Sequence, residues 1–185
     1  MAKQSLREFQ SQLAERLRTA ARDGVVSKLG FVAGGWHWLT DLTEINEVVT
    51  VTEVTPVPWA RPWFMGLANV RGLIYGCTDL AAFMGYGLDS ERGEIRLLLT
   101  HPRFGVNAAI RVERTLGLRN PAEMTPLPSQ PDDAEWIKHR WRGADGLEWM
   151  EISMEKLVAS PRFLNAGSEE AYRSPTKSLS DSAHP

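Results

Sequence analysis

Apolar residues along this chain change their period near residue 25. Over residues 5–22 they recur at three- and four-residue spacing, as Leu6, Phe9, Leu13 and Leu17 with Ala20 and Ala21 beyond. That spacing gives a helix with one apolar stripe, leaving Arg7, Gln10, Glu15 and Arg18 on the other faces. Ser5 with Glu8 three positions on is a capping-box pattern, and Gly24 suits the stop. Periodicity leaves open whether the stripe docks on its own domain or on a partner.

From Val25 to about Leu118 the signals are those of strands. Leu29, Phe31, Trp36, Trp38 and Leu42 lie in short β-prone runs broken by Gly34-Gly35, a hairpin signal, and Glu47–Val51 follows as another strand. Three prolines between Thr55 and Trp63 remove backbone donors and predict an ordered loop. The run from Gly66 to Leu80 reads as two strands interrupted by Asn69-Val70-Arg71-Gly72, and Asp79 to Phe83 as a short helical turn. Ile95–Thr100 and Gly105–Val112 pair through His101-Pro102-Arg103. After a second proline-rich connection (Pro121, Pro126, Pro128, Pro131), residues 136–141 and 147–152 resemble a late hairpin and Ser153 to Val158 a short helix. The period is lost after about Asn165, where Ser, Pro and charge dominate, so residues 166–185 are expected to be a disordered tail. Residues 1–24 are thus a helix, 25–160 the folded domain, and the fold class mainly β and barrel-type.

Composition narrows the function classes. At 185 residues with 43% hydrophobic positions, the chain can bury a substantial core. A net charge of -2 gives no electrostatic footprint for nucleic acid. No signal-peptide core and no long apolar window stand in the sequence, so a cytoplasmic protein without direct membrane insertion is expected. Seven tryptophans lean toward a protein that touches other proteins.

Candidate chemistry is sparse. Cys77 sits in a strand-like run with no neighbouring base, as a small buried hydrophobe would, so an enzyme using its thiolate is a minor alternative. No His/Cys spacing suits zinc, Asp132-Asp133 lacks companion calcium ligands, and no glycine run cradles phosphate. No catalytic residue, cofactor or metal is expected. Lys138, Arg140 and Arg142 interleave with Trp136 and Trp141, a pattern that fits a charged strand edge better than a nucleic-acid surface.

The order Leu39-Thr40-Asp41-Leu42, Ile45-Asn46-Glu47-Val48, proline-bounded loop, Gly66-Leu67-Ala68-Asn69-Val70-Arg71-Gly72 and Asp79-Leu80 resembles the CheW-like domain of bacterial chemosensory systems. The likeness continues through Ala109–Leu118 and Ala122–Pro128 and covers about residues 25–160. It implies two small SH3-like β-barrel subdomains around a shared hydrophobic core, and a non-enzymatic adaptor. The implied partners are the cytoplasmic tip of a methyl-accepting receptor and the regulatory domain of a CheA-type histidine kinase. Arg71 maps to the family's turn arginine, with Asn69, Gly72 and Glu47 beside it, and Leu42 and Ile45 to apolar groove positions. The N-terminal helix and Trp149–Ile152 with Phe163-Leu164 resemble the PilI-like branch that serves type IV pilus twitching motility. The turn is expected to rest on Leu67 and Ile74 in the core, with Arg71 held out to grip a carboxylate or helix end. The alternative is an SH3-like barrel binding nucleic acid or a small molecule.

Overall fold

The computed structural model describes residues 27–86 and 94–167. The expected N-terminal helix and nearly all of the expected tail lie outside the described residues. Two mixed sheets carry the chain. The strands are β1 (Lys28–Ala33), β2 (Trp36–Asp41), β3 (Ile45–Val51), β4 (Phe64–Val70), β5 (Leu73–Asp79) and β6 (Ile95–Thr100). They continue as β7 (Ala108–Val112), β8 (Arg114–Arg119), β9 (Thr125–Leu127), β10 (Ile137–Arg142) and β11 (Glu148–Ile152). Three short helices join them: α1 (Leu80–Met84), α2 (Met154–Ala159) and α3 (Pro161–Leu164). One sheet runs β3-β6-β7-β5-β4 and the other β8-β1-β2-β11-β10-β9. The described residues therefore start in the second sheet, cross to build the first, and return.

The first sheet closes on itself. Thr55, beyond the end of β3, exchanges two 2.8 Å backbone hydrogen bonds with Leu67 of β4, the opposite edge. Gly66 permits this approach: its φ is +132°, and a Cβ there would lie 2.0 Å from the Thr55 carbonyl oxygen. Inside the closed sheet, Val49, Ala68, Val70, Tyr75, Cys77, Leu97, Leu99 and Ala109 form one core. Leu98, Ile110 and Val112 point the other way, into a larger core shared with Phe31, Trp38 and Ile152 of the second sheet and with α1 and α2. β6 and β7 are buried on both faces, which explains the unbroken runs Leu97-Leu98-Leu99 and Ala108-Ala109-Ile110. The two-subdomain, shared-core architecture is thus as the resemblance implied.

Several local expectations stand. Gly34-Gly35 turns β1 into β2, and Asp79 caps α1 by accepting from Ala82 N–H at 2.9 Å. Ser153 caps α2 in the same way. Two expectations need correction. Arg140–Arg142 is not a sheet edge, because β9 pairs outside that part of β10 along Thr125–Leu127, with Pro126 tolerated on that outer strand. Ala166 and Gly167, placed in the tail by composition, pair with Arg61 and Ala60 of the proline loop. Composition misled there because backbone hydrogen bonds need no apolar side chain.

Candidate functional site

Val70 and Leu73 are the last pair of the β4–β5 hairpin, so Arg71 and Gly72 alone make its turn. Both have positive φ, +53° and +86°, the backbone of a type I′ turn. An arginine in that left-handed region carries a backbone cost that glycine or asparagine would avoid. Asn69 Oδ1 accepts from Gly72 N–H at 2.9 Å and braces the corner. The Arg71 side chain is 74% exposed, yet it is directed: Nη2 donates to Glu47 Oε1 at 2.7 Å across the mouth of the closed sheet.

The surroundings of this pair differ from expectation. Leu67 and Ile74 are not core anchors but are 39% and 50% exposed, and Leu73 at the tip is 56% exposed. Strand alternation is the reason. Ala68, Val70, Tyr75 and Cys77 fill the interior, so Leu67 and Asn69 on β4, and Ile74 opposite Asn69, must face outward. The signal was legible: Leu73 and Ile74 are adjacent, and neighbours in a strand cannot both point inward. The hairpin therefore offers a cation at its tip, with Leu73 exposed beside the turn and Leu67 and Ile74 exposed on its outer face.

Of the other residues singled out in the sequence, Glu47 joins Arg71 directly. Leu42 opens a single 3-10 turn (Leu42–Glu44), Ile45 follows it, and both are half-buried against the shared core. Glu44 fixes that turn from within. Its carboxylate accepts from Met154 N–H (2.8 Å), Ser153 Oγ (3.2 Å) and Thr40 Oγ1 (3.4 Å), and its carbonyl accepts from His101 N–H (2.9 Å). Asp41, just before the turn, is pushed up by burial, but bonds from Thr43 and the Lys28 ammonium outweigh this and hold its carboxyl below the usual range. Beside the turn lies a groove of about 490 Å³ with apolar walls of Phe104, Val106, Val158, Ala159 and Leu164. Arg103 and Glu155 stand at its rim, and Arg103 Nη2 reaches Thr43 Oγ1 at 3.5 Å. Leu42 and Ile45 are not among its walls.

The minor alternatives lose their chemistry. Cys77 is fully buried, and burial pushes its thiol up to about 11, the reverse of an activated nucleophile. Arg140 is gripped by Asp133 and Arg142 by Glu148, while Trp136 is in the shared core and Trp141 Nε1 donates to Glu151 at 3.0 Å. Lys138, His139 and Arg142 stay exposed on that strand, while Arg140 and Trp141 are engaged within the fold. Among the described residues no group of three or more His, Cys, Asp or Glu side chains is placed to hold a metal ion, and no helix is long and apolar enough to cross a membrane.

Comparison with known proteins bears on the same segment. The sequence model of the CheW-like domain matches residues 28–162. Protein PilI of Pseudomonas aeruginosa is 31% identical over 94 residues, 51% of this chain and 52% of that protein. Chemotaxis protein CheW of Thermotoga maritima is 28% identical over 78 residues, 42% of this chain and 50% of that protein. The aligned part thus spans about half the length of these curated relatives. Among solved structures, the scaffolding protein TtCheW from Thermoanaerobacter tengcongensis superposes with a TM-score of 0.62 at 18% identity, covering 75% of this chain and 95% of that one, a likeness of fold.

Proposed function

The chain belongs to the CheW-like domain family, and we propose that it is a cytoplasmic, non-enzymatic adaptor of a chemosensory system controlling type IV pilus twitching motility. In this reading it couples the helical tip of methyl-accepting receptors to the regulatory domain of a CheA-type histidine kinase. The similarity to PilI and to chemotaxis CheW supports the setting. One observation carries the reading: an arginine held at φ +53° on a two-residue turn, aimed by Glu47, on a hairpin that also exposes Leu67, Leu73 and Ile74. Backbone strain at an exposed residue persists where something other than folding selects it. A planar guanidinium beside aliphatic surface suits a partner that offers both a carboxylate and an apolar face, as a helical hairpin or a β-barrel rim does.

Arg71→Glu tests this. The melting temperature should stay within about 4 °C of the parent, since an exposed pair contributes only about 0–1 kcal/mol. Co-purification with receptor-tip or kinase fragments should be lost, as expected for an interface anchor of about 2 kcal/mol or more. Binding at parental affinity to both fragments would remove the turn from the interface.

A further inference from the structure

We propose that the groove between α2–α3 and the Pro102–Val106 segment is the seat of the chain's own residues 5–22, docked through Leu17, Leu13 and Phe9. The groove is apolar where it is deep, with Val158 at its base, and Leu164 at its lip is 58% exposed. An exposed leucine beside an open apolar furrow is surface that a second apolar stripe would cover. Residues 5–22 carry such a stripe by their spacing.

The point at which the described chain begins selects this occupant. Lys28 pairs with Asp41 in the β1–β2 register and through its ammonium at 3.5 Å. Asp41 Oδ1 accepts from Thr43 Oγ1 at 3.0 Å, and Thr43 meets Arg103 at the groove rim. The described chain therefore begins three side-chain contacts from Arg103 at the groove rim. Residues 24–27 can span up to about 13 Å when extended, and the stripe from Leu6 to Leu17 is about 17 Å long as a helix. Docking from the near end places Leu17 and Leu13 over the furrow first. Arg16, seven positions after Phe9 and so on the border of the stripe, then faces the Glu155 rim with complementary charge. Residues 168–185, the other segment of suitable length, have no comparable stripe. This docking is independent of the adaptor reading.

The test uses the full chain with a nitroxide on Lys156→Cys, an exposed position on α2 that is outside the groove walls. Buried Cys77 leaves that single labelling site. Paramagnetic loss of the amide signals of residues 9–17, abolished by Leu13→Asp and separately by Leu164→Asp while the signals of residues 27–167 keep their positions away from the groove, supports the docking. Undiminished signals across 5–22 overturn it. So does loss confined to residues 168–185, which would make the tail the occupant. So does loss seen only when labelled and unlabelled chains are mixed, which would make a second copy the occupant.

Discussion

Arg71 and Gly66 both carry a positive φ, +53° and +132°, for opposite reasons. Gly66 has no choice, because any side chain would meet the Thr55 carbonyl. Gly66→Ala should lower stability by more than about 3 kcal/mol, or prevent folding, through combined strain and overlap. The checks are a urea midpoint and loss of amide protection at Thr55 and Leu67. At Arg71 the fold supplies the Glu47 contact from a largely exposed guanidinium, worth little to stability, and a type I′ turn favours asparagine at that position. Arg71→Asn should therefore raise stability by about 0.5 kcal/mol while weakening partner binding at least tenfold. Opposite signs from one substitution distinguish a functional residue from a structural one, and denaturation alongside a binding titration reads both.

At the scale of elements, the 3-10 turn at Leu42–Glu44 links parts that are distant in sequence. Glu44 joins the β2–β3 connection to the start of α2, 110 residues on, and its backbone holds the end of β6 through His101. A buried carboxylate is tolerated there because its oxygens receive several donors. Glu44→Ala strands the Met154 N–H and Ser153 hydroxyl without an acceptor and should cost about 3 kcal/mol, with faster amide exchange in α2. Glu44→Gln keeps one acceptor oxygen and should cost less than half as much. The hairpin β4–β5 behaves differently. Its inner face is core, while on its outer face Leu67 and Ile74 stay substantially exposed among the described residues. That asymmetry is what an interaction surface requires and a stability argument alone does not explain.

For the whole molecule, buried titrating groups bound the pH range of the fold. The Arg140 guanidinium, by hydrogen bonding, holds Asp133 below the usual carboxylate range, and Asp41 is likewise lowered. Both carboxyls bind protons more weakly folded than unfolded, so their stabilisation is present above about pH 4 and is lost as pH falls through their lowered values. Cys77 is the reverse case. Its thiol is raised from 9.0 to about 11, so its contribution is intact below pH 9 and declines as pH rises toward 11. Urea midpoints should form a plateau at neutral pH that falls on both sides, and Cys77→Ala should flatten the alkaline limb. Much of this molecule is determined by sequence alone. The Gly34-Gly35 and Arg71-Gly72 hairpins, the caps at Asp79 and Ser153, and the doubly buried runs of β6 and β7 follow from local propensity and apolar period. The ordered motif from Leu39 to Leu80 was enough to suggest the family. Tertiary structure alone decided which apolar residues face out. Leu67 and Ile74 look like core in the sequence, and they stand in solvent because strand register fills the interior with their neighbours first. It also decided that Glu47 aims Arg71 and that Glu44 caps α2, since both contacts join residues brought together only when the sheets close. Local pattern encodes the direction of each backbone segment, whereas pairing across the chain depends on which surfaces are left after the cores have formed.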